Sequence, residues 1–237
     1  MIVKKKSVAI ITARGGSKRI PRKNVKEFLG KPILLYSIEA AINSGIFDEV
    51  MVSTEDEEIM ELARKAGAKV PFVRSQEAAN DFSTTTDVLL EVLESYKKIG
   101  EEFEYACCLY PTAPFTTAKC LKEAMEMLEE KDVDSVIPVV RFGFPPQRGL
   151  VVREDKVEFK WPEHMFTRSQ DLEPFYHDSG QFYCLRVDSF LKQKRLFMEN
   201  TLGYVRSELE VQDIDTLEDW KLAELKYQML MEKEGER

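Results

Sequence analysis

From Arg14 to Lys26 the chain carries six basic residues and no acidic one, although the whole sequence has a net charge of −8. Gly15 and Gly16 open the run, directly after the apolar stretch Val8-Ala9-Ile10-Ile11. A strand that opens into a glycine-bearing basic loop suits a polyanion. Glycine lets backbone amides approach closely, and Arg and Lys side chains neutralise phosphate charge. The alternative, a solvated basic surface loop, explains the charges but not their place at a strand end. Two familiar phosphate motifs do not apply. Gly15-Gly16-Ser17-Lys18 lacks the G-x-x-x-x-G-K-[ST] spacing, and no G-x-G-x-x-G follows the first apolar run.

A second group with chemistry in it is Asp213-Ile214-Asp215. Read as the end of the last strand, it places both carboxylates on one side. Adjacent carboxylates repel unless a cation bridges them, and Mg²⁺ is commonly held by one or two carboxylates together with substrate phosphates. The competing reading is helix capping, since Asp215 and Glu218 have the capping-box spacing. Capping leaves Asp213 without a role, whereas a basic phosphate loop calls for a metal partner.

A third group is Tyr176-His177-Asp178-Ser179-Gly180-Gln181-Phe182-Tyr183, whose mixed polar side chains suit a ligand with many hydroxyls. Arg141, Arg148 and Arg168 add the positive charge that a carboxylate substrate would need. A Ser/His/Asp triad can be composed from these residues, but no G-x-S-x-G elbow accompanies it. Pro111 and Pro114 stiffen the loop after an apolar strand, either as a pocket wall or as an ordinary turn. Thr84-Thr85-Thr86 reads as a helix N-cap cluster.

These groups need a scaffold, and the hydrophobic pattern predicts one. Strands are expected over 8–13, 49–53, 69–73, 106–110, 135–139 and 181–186, and helices over 32–44, 56–66, 84–99, 117–130 and 216–232. Gly45 and Gly67 fall where helices should end, and Thr54 or Asp56 and Thr116 or Thr117 fall where they should begin. The alternation predicts a three-layer α/β fold with a mostly parallel, doubly wound sheet, in which ligands gather beyond the carboxyl ends of the strands. The expectation is one domain over 1–237, with 141–178 leaving the sheet as a lid or dimer arm. Within that excursion, the alternation from Val151 to Phe159 predicts a hairpin turning at Glu154-Asp155.

Composition narrows the class. A 237-residue chain with 43% hydrophobic residues can bury a substantial core. It holds no run of about 20 apolar residues that would span a membrane. The acidic balance argues against non-specific binding to nucleic acid. Four cysteines without a C-x-x-C pair, and only two histidines, argue for buried free thiols in a reducing cytoplasm rather than for zinc.

Several segments resemble the acylneuraminate cytidylyltransferases, the CMP-sialic acid synthetases. They are ITARGGSKRIPRKN at 11–24, FDEVMVSTEDEEI at 47–59, YPTAPF at 110–115, RSQDL at 168–172, YHDSGQFY at 176–183 and QDIDTLEDW at 212–220. They occur in order over almost the whole chain, and the RSQDL and YHDSGQFY pieces resemble the branch acting on pseudaminic acid. The resemblance implies a Rossmann-like nucleotidyltransferase that moves CMP from CTP to a nine-carbon α-keto sugar acid, with Mg²⁺ and release of pyrophosphate.

The same resemblance implies roles residue by residue. Arg14 and Lys23 would bind triphosphate; Ala13, Gly15, Ser17, Lys18 and Asn24 would shape the loop; Arg74 and the Asn80-Asp81-Phe82-Ser83 stretch would meet cytosine. Asp213 and Asp215 would hold the metal; apart from the resemblance, Asp213 is the better candidate for a general base. Gln147, Arg148, Arg168, Gln170, His177, Asp178, Gln181 and Tyr183 would face the sugar acid. Members are typically homodimers in which the excursion reaches the neighbouring site.

This chain departs from the neuraminate pattern in ways that bear on substrate. Thr12 replaces a proline, Tyr110 stands where those enzymes have glutamine in Q-P-T-S-P, and His177-Asp178-Ser179-Gly180 stands where they have R-P-N-G. The last two changes argue against N-acetylneuraminate. Even within the pseudaminic branch, alanine is expected at Ser179. The rivals are a synthetase for sialic, legionaminic or eight-carbon ketodeoxy acids, a sugar-1-phosphate nucleotidyltransferase, which would carry G-x-G-T-R in its first loop, and a CTP sensor without turnover.

Overall fold

The computed structural model describes residues 6–80 and 82–235. In chain order the elements begin with β1 (Ser7–Thr12), two short strands β2 (Glu27–Phe28) and β3 (Lys31–Pro32), α1 (Ile33–Ser44) and β4 (Glu49–Ser53). Next come α2 (Glu57–Lys65), α3 (Gln76–Ala79), α4 (Thr85–Lys98), β5 (Tyr105–Leu109), α5 (Ala118–Glu130) and β6 (Ser135–Arg141). The chain then forms a hairpin, β7 (Leu150–Arg153) and β8 (Lys156–Phe159), followed by β9 (Tyr176–Asp178), β10 (Phe182–Arg186), α6 (Val187–Gln193), β11 (Thr201–Arg206) and α7 (Leu217–Gly235).

The main sheet runs β11-β6-β10-β5-β1-β4, with β9 also paired to β6. Alternation along β1 assigns its two faces: Ala9 and Ile11 join α1, α2 and α5 in one core, while Val8 and Ile10 join α4 and α6 in the other. Cys107 and Cys108 likewise point to opposite faces. All four cysteines are free and buried. A third cluster, built on Phe28, Phe115, Ile214 and Trp220, docks α7 beside the phosphate loop.

Local chemistry sets the helix starts much as the sequence predicts. Asp56, Thr84 and Thr117 each accept a backbone N–H at the N-terminus of α2, α4 and α5, and Gly45 ends α1 with φ of 63°. The hairpin turns at Glu154 and Asp155, both in the left-handed region, as a type I′ turn requires.

Three sequence expectations fail. Residues 69–73 make only single bridges to Met51 and Thr54 and form no strand; Pro71 removes a ladder donor there. The parallel pattern does not resume at Gln181, because β10 runs antiparallel to both β5 and β6. The last strand is β11, parallel to β6, and it ends at Arg206. Asp213 and Asp215 therefore lie in a loop, and strand periodicity does not set where they point.

One irregularity bears on the site. Asp178 is paired with Val139 and Cys184 with Val136, so six steps along one strand match three along β6. Ser179-Gly180-Gln181 takes up the difference as an extended bulge of three extra residues, with Gly180 at φ 62°. Bulges of this kind re-aim side chains beside functional sites.

Candidate active site

A cavity of about 540 Å³ opens at the carboxyl ends of β1, β4 and β5. The loop after β1 forms one wall. Asn24 donates to the Arg14 carbonyl at 2.8 Å, closing the loop on itself. Arg22, in the left-handed region with φ 56°, is pinned by ion pairs to Asp56 and Glu58. The Gly15 N–H donates to Glu55 Oε1 at 2.6 Å, so the residues after β4 hold the loop from behind. Arg14, Ser17, Lys18, Lys23 and Asn24 line the cavity.

The opposite wall is the start of α4. Thr84, Thr85 and Val88 line it, so the N-terminal end of a 14-residue helix meets the cavity, where its dipole favours an anion. The sequence shows the cap but not where the helix points. Buried Arg74 also lines the cavity, held by Ser53 Oγ at 3.0 Å and the Ser53 carbonyl at 2.6 Å. Its burial pulls the guanidinium below the ordinary arginine range. Tyr110, Pro111 and Thr112 complete the wall after β5, so the proline-stiffened loop does bound a pocket. Asn80 and Ser83 line it too, while Asp81 lies outside the described residues.

The loop Gln212–Thr216 brings Asp215 to the cavity edge, while Asp213 does not line the cavity and lies beside Gly180. Ile214 is fully buried in the α7 cluster, and burying such a side chain contributes about 2 kcal/mol, which anchors an aspartate on either side of it. Asp215 lines the cavity, 3.0 Å from Arg19 and 3.8 Å from Lys23 Nζ. Lys23 also donates to the Ile214 carbonyl at 2.7 Å, and burial lowers its pKa. Asp213 is open to solvent on one side, yet packing around it and then the charge of Asp215 push its carboxyl above the ordinary aspartate value.

Helix capping does not account for Asp215. The cap of α7 is Thr216, whose Oγ1 accepts from the Asp219 N–H while the Asp219 carboxylate accepts from Thr216 and from the Asp215 N–H. Nor do the ion pairs, since pairs as exposed as Arg19–Asp215 contribute about 0–1 kcal/mol. Among the described residues no group of three or more His, Cys, Asp or Glu side chains is arranged to hold a metal. A cation here would complete its coordination with ligand oxygens.

None of the eight residues expected at the sugar acid lines this cavity, and they divide into two sets. His177, Asp178, Gln181 and Tyr183 lie on β9, the bulge and β10, and Gly180 between them faces Asp213. Gln147, Arg148, Arg168 and Gln170 belong to the excursion. Gln147 donates to the Glu173 carbonyl, Arg148 to Ser169, and Arg168 pairs with Asp171. Gln170 lines a second cavity of about 450 Å³ with Arg141 and Arg206. Exposed His177 packs its ring on Phe142 at 4.7 Å.

A cavity at the strand ends of an α/β sheet, walled by a glycine-bearing cationic loop and a helix N-terminus with an aspartate at its edge, defines a nucleotide-handling α/β protein. The chain belongs to the cytidylyltransferase family, whose model, described as Cytidylyltransferase, matches residues 8–219. It is 41% identical over 225 residues to the pseudaminic acid cytidylyltransferase of Campylobacter jejuni, covering 94% of this chain and 97% of the relative. It is 32% identical to the CMP-N,N'-diacetyllegionaminic acid synthase of Legionella pneumophila, over 92% and 94% of the two chains. Its fold matches a CMP:2-keto-3-deoxy-manno-octonic acid synthetase solved with CTP, with a TM-score of 0.68 over 96% and 99% of the chains at 20% identity.

Proposed function

We propose that this chain transfers CMP from CTP to a nine-carbon α-keto sugar acid, pseudaminic acid, and releases pyrophosphate. The observation that carries the reading is the single cavity in which the cationic loop, the start of α4 and Asp215 converge. The identity to the Campylobacter enzyme, and the chain's departures from the neuraminate pattern at Tyr110 and His177–Gly180, support the choice of acid.

The anomeric hydroxyl of the acid attacks the α-phosphorus of CTP in line and gives its proton to a base, for which Asp213 is the candidate; a P–O bond forms, and the bond to pyrophosphate breaks. Such a transfer depends on positioning and charge neutralisation rather than on a covalent nucleophile. Arg14, Lys18 and Lys23 offset the charge of the leaving pyrophosphate. Arg74, Asn80 and Ser83, which line the cavity, are the groups for the cytosine.

Asp213 and Asp215 supply hard oxygen donors suited to Mg²⁺, which leaves its other positions to phosphate oxygens and water. Bound there, the ion would polarise the phosphate under attack. No helix among the described residues is long and apolar enough to cross a membrane. The free thiols fit a reducing cytoplasm, where we place the reaction.

We assign the segment 141–178 to a dimer arm within one domain. Its side chains Phe144, Val152, Val157 and Phe166 are exposed, and a second copy would cover them. The arm would bring Gln147, Arg148, Arg168 and Gln170 to the partner's sugar acid. Light scattering should give a mass near twice 27.4 kDa; a mass at the monomer value would refute the arm.

The reaction is tested by Mg²⁺-dependent pyrophosphate release from CTP with pseudaminic, legionaminic and N-acetylneuraminic acids in parallel. Release with pseudaminic acid alone is expected. Release with another acid alone would keep the chemistry and overturn the substrate. CTP binding without release from any acid would favour a sensor.

A further inference from the structure

Tyr110 lines the nucleotide cavity, and its hydroxyl is held by another of the cavity's walls. It hydrogen-bonds Thr85 Oγ1 at 3.1 Å, on the first residue of α4 and another wall of the cavity. The Tyr110 ring meets that of Tyr183 edge to face, with centroids 5.5 Å apart. Tyr183 donates to Asp178 Oδ2 at 2.6 Å. Asp178 Oδ1 accepts from the Gly180 N–H at 2.9 Å, which ties the bulge. Gly180 abuts the carboxylate pair: a Cβ there would lie 3.8 Å from Asp213 Cγ. A chain of contacts, hydrogen bonds at either end and a ring contact between the two tyrosines, thus runs from the nucleotide wall to the bulge beside Asp213.

Plain core packing does not require this arrangement. Phenylalanine would fill both ring positions, and each buried hydroxyl costs about 1–3 kcal/mol if it is left unpaired. A fully paired buried network, by contrast, admits one geometry. The side chains are also poorly placed to meet a ligand directly. Tyr183 is only 2% exposed, and both oxygens of Asp178 are occupied.

We propose that Tyr110, Tyr183 and Asp178 are a positioning relay, which fixes the bulge and the neighbouring Asp213 relative to the bound nucleotide. The relay rests on the reaction proposed above. It gives position 110 a role other than reading the base, and it removes Asp178 and Tyr183 from direct contact with the sugar acid.

The test is a double-mutant cycle of Tyr110→Phe and Tyr183→Phe. It is read by kcat and the acceptor KM, by CTP affinity from calorimetry without acceptor, and by thermal melting. Each single variant should lose about tenfold in kcat, since small misplacements of reacting groups are costly. CTP affinity should hold within about twofold, which separates lost positioning from lost binding. The double variant should be no worse than the poorer single one, because either change breaks the same chain. Additive losses, unchanged kcat, or a parallel fall of CTP affinity and melting temperature would overturn the relay. A wild-type protein that binds CTP but releases no pyrophosphate would instead overturn the reaction.

Discussion

Replacing Asp215 with alanine should reduce pyrophosphate release about a thousandfold, because polarisation of the reacting phosphate contributes several kcal/mol and each 1.4 kcal/mol is tenfold in rate. Asp213→Ala should fall by a similar factor. CTP affinity should change far less in either variant. Asp215 lies against Arg19 and Lys23, so its loss leaves two cations free for phosphate, which offsets the lost metal contact. The measurement is single-turnover release alongside calorimetric CTP binding, each with and without Mg²⁺. Proportional losses of turnover and affinity would mean that Asp215 only holds its cationic neighbours in place. With the metal role intact, the variants should also lose most of their Mg²⁺ dependence.

Gly15→Ala should lower kcat/KM about a hundredfold, since displacing a bound substrate by about 1 Å is enough for that loss. A Cβ at position 15 would lie 2.6 Å from Asp56 Oδ2 and 2.9 Å from Asp56 Cβ. Asp56 cannot easily yield. Its Oδ1 caps α2 through the Ile59 N–H, its other oxygen pairs with Arg22, and that pairing holds its carboxyl below the ordinary aspartate range. The loop must move instead, which breaks the Gly15 contact to Glu55 and shifts the amides that approach phosphate. Gly16→Ala is the control. Its Cβ would meet nothing within 4 Å, so its melting temperature should match the wild type. Wild-type kcat/KM in Gly15→Ala would show that the loop can shift without consequence for the nucleotide.

Much of the site is legible in the sequence because its parts are local. The phosphate loop is contiguous, and glycine and charge suffice to mark it. The caps of α2, α4 and α5 each lie within three residues of their targets. Other groups escape a local reading. Thr85 and Val88 line the cavity, yet only the folded position of α4 reveals them. The Glu55–Gly15 contact joins residues 40 apart in the chain, and no periodicity signals it. The sequence alternation of β11 is blurred by Gly203 and by its exposed edge position, so the strand is hard to see.

Strand direction is the plainest example of what local patterning omits. Residues 182–186 alternate between the two cores in the same way whether they run parallel or antiparallel, so their sequence predicts a strand and not its sense. The amino-acid sequence by itself determined most of the strands and the longer helices, where α2, α4 and α5 begin, and that a cationic loop follows β1, because each depends on neighbours a few residues away. Only the tertiary structure decided that β10 runs antiparallel and bulges at Gly180, that buried Ile214 seats two aspartates in a loop, and that Tyr110 reaches Tyr183. Those outcomes follow from packing between segments distant along the chain, where burial and hydrogen-bond pairing, rather than side-chain period, select the geometry.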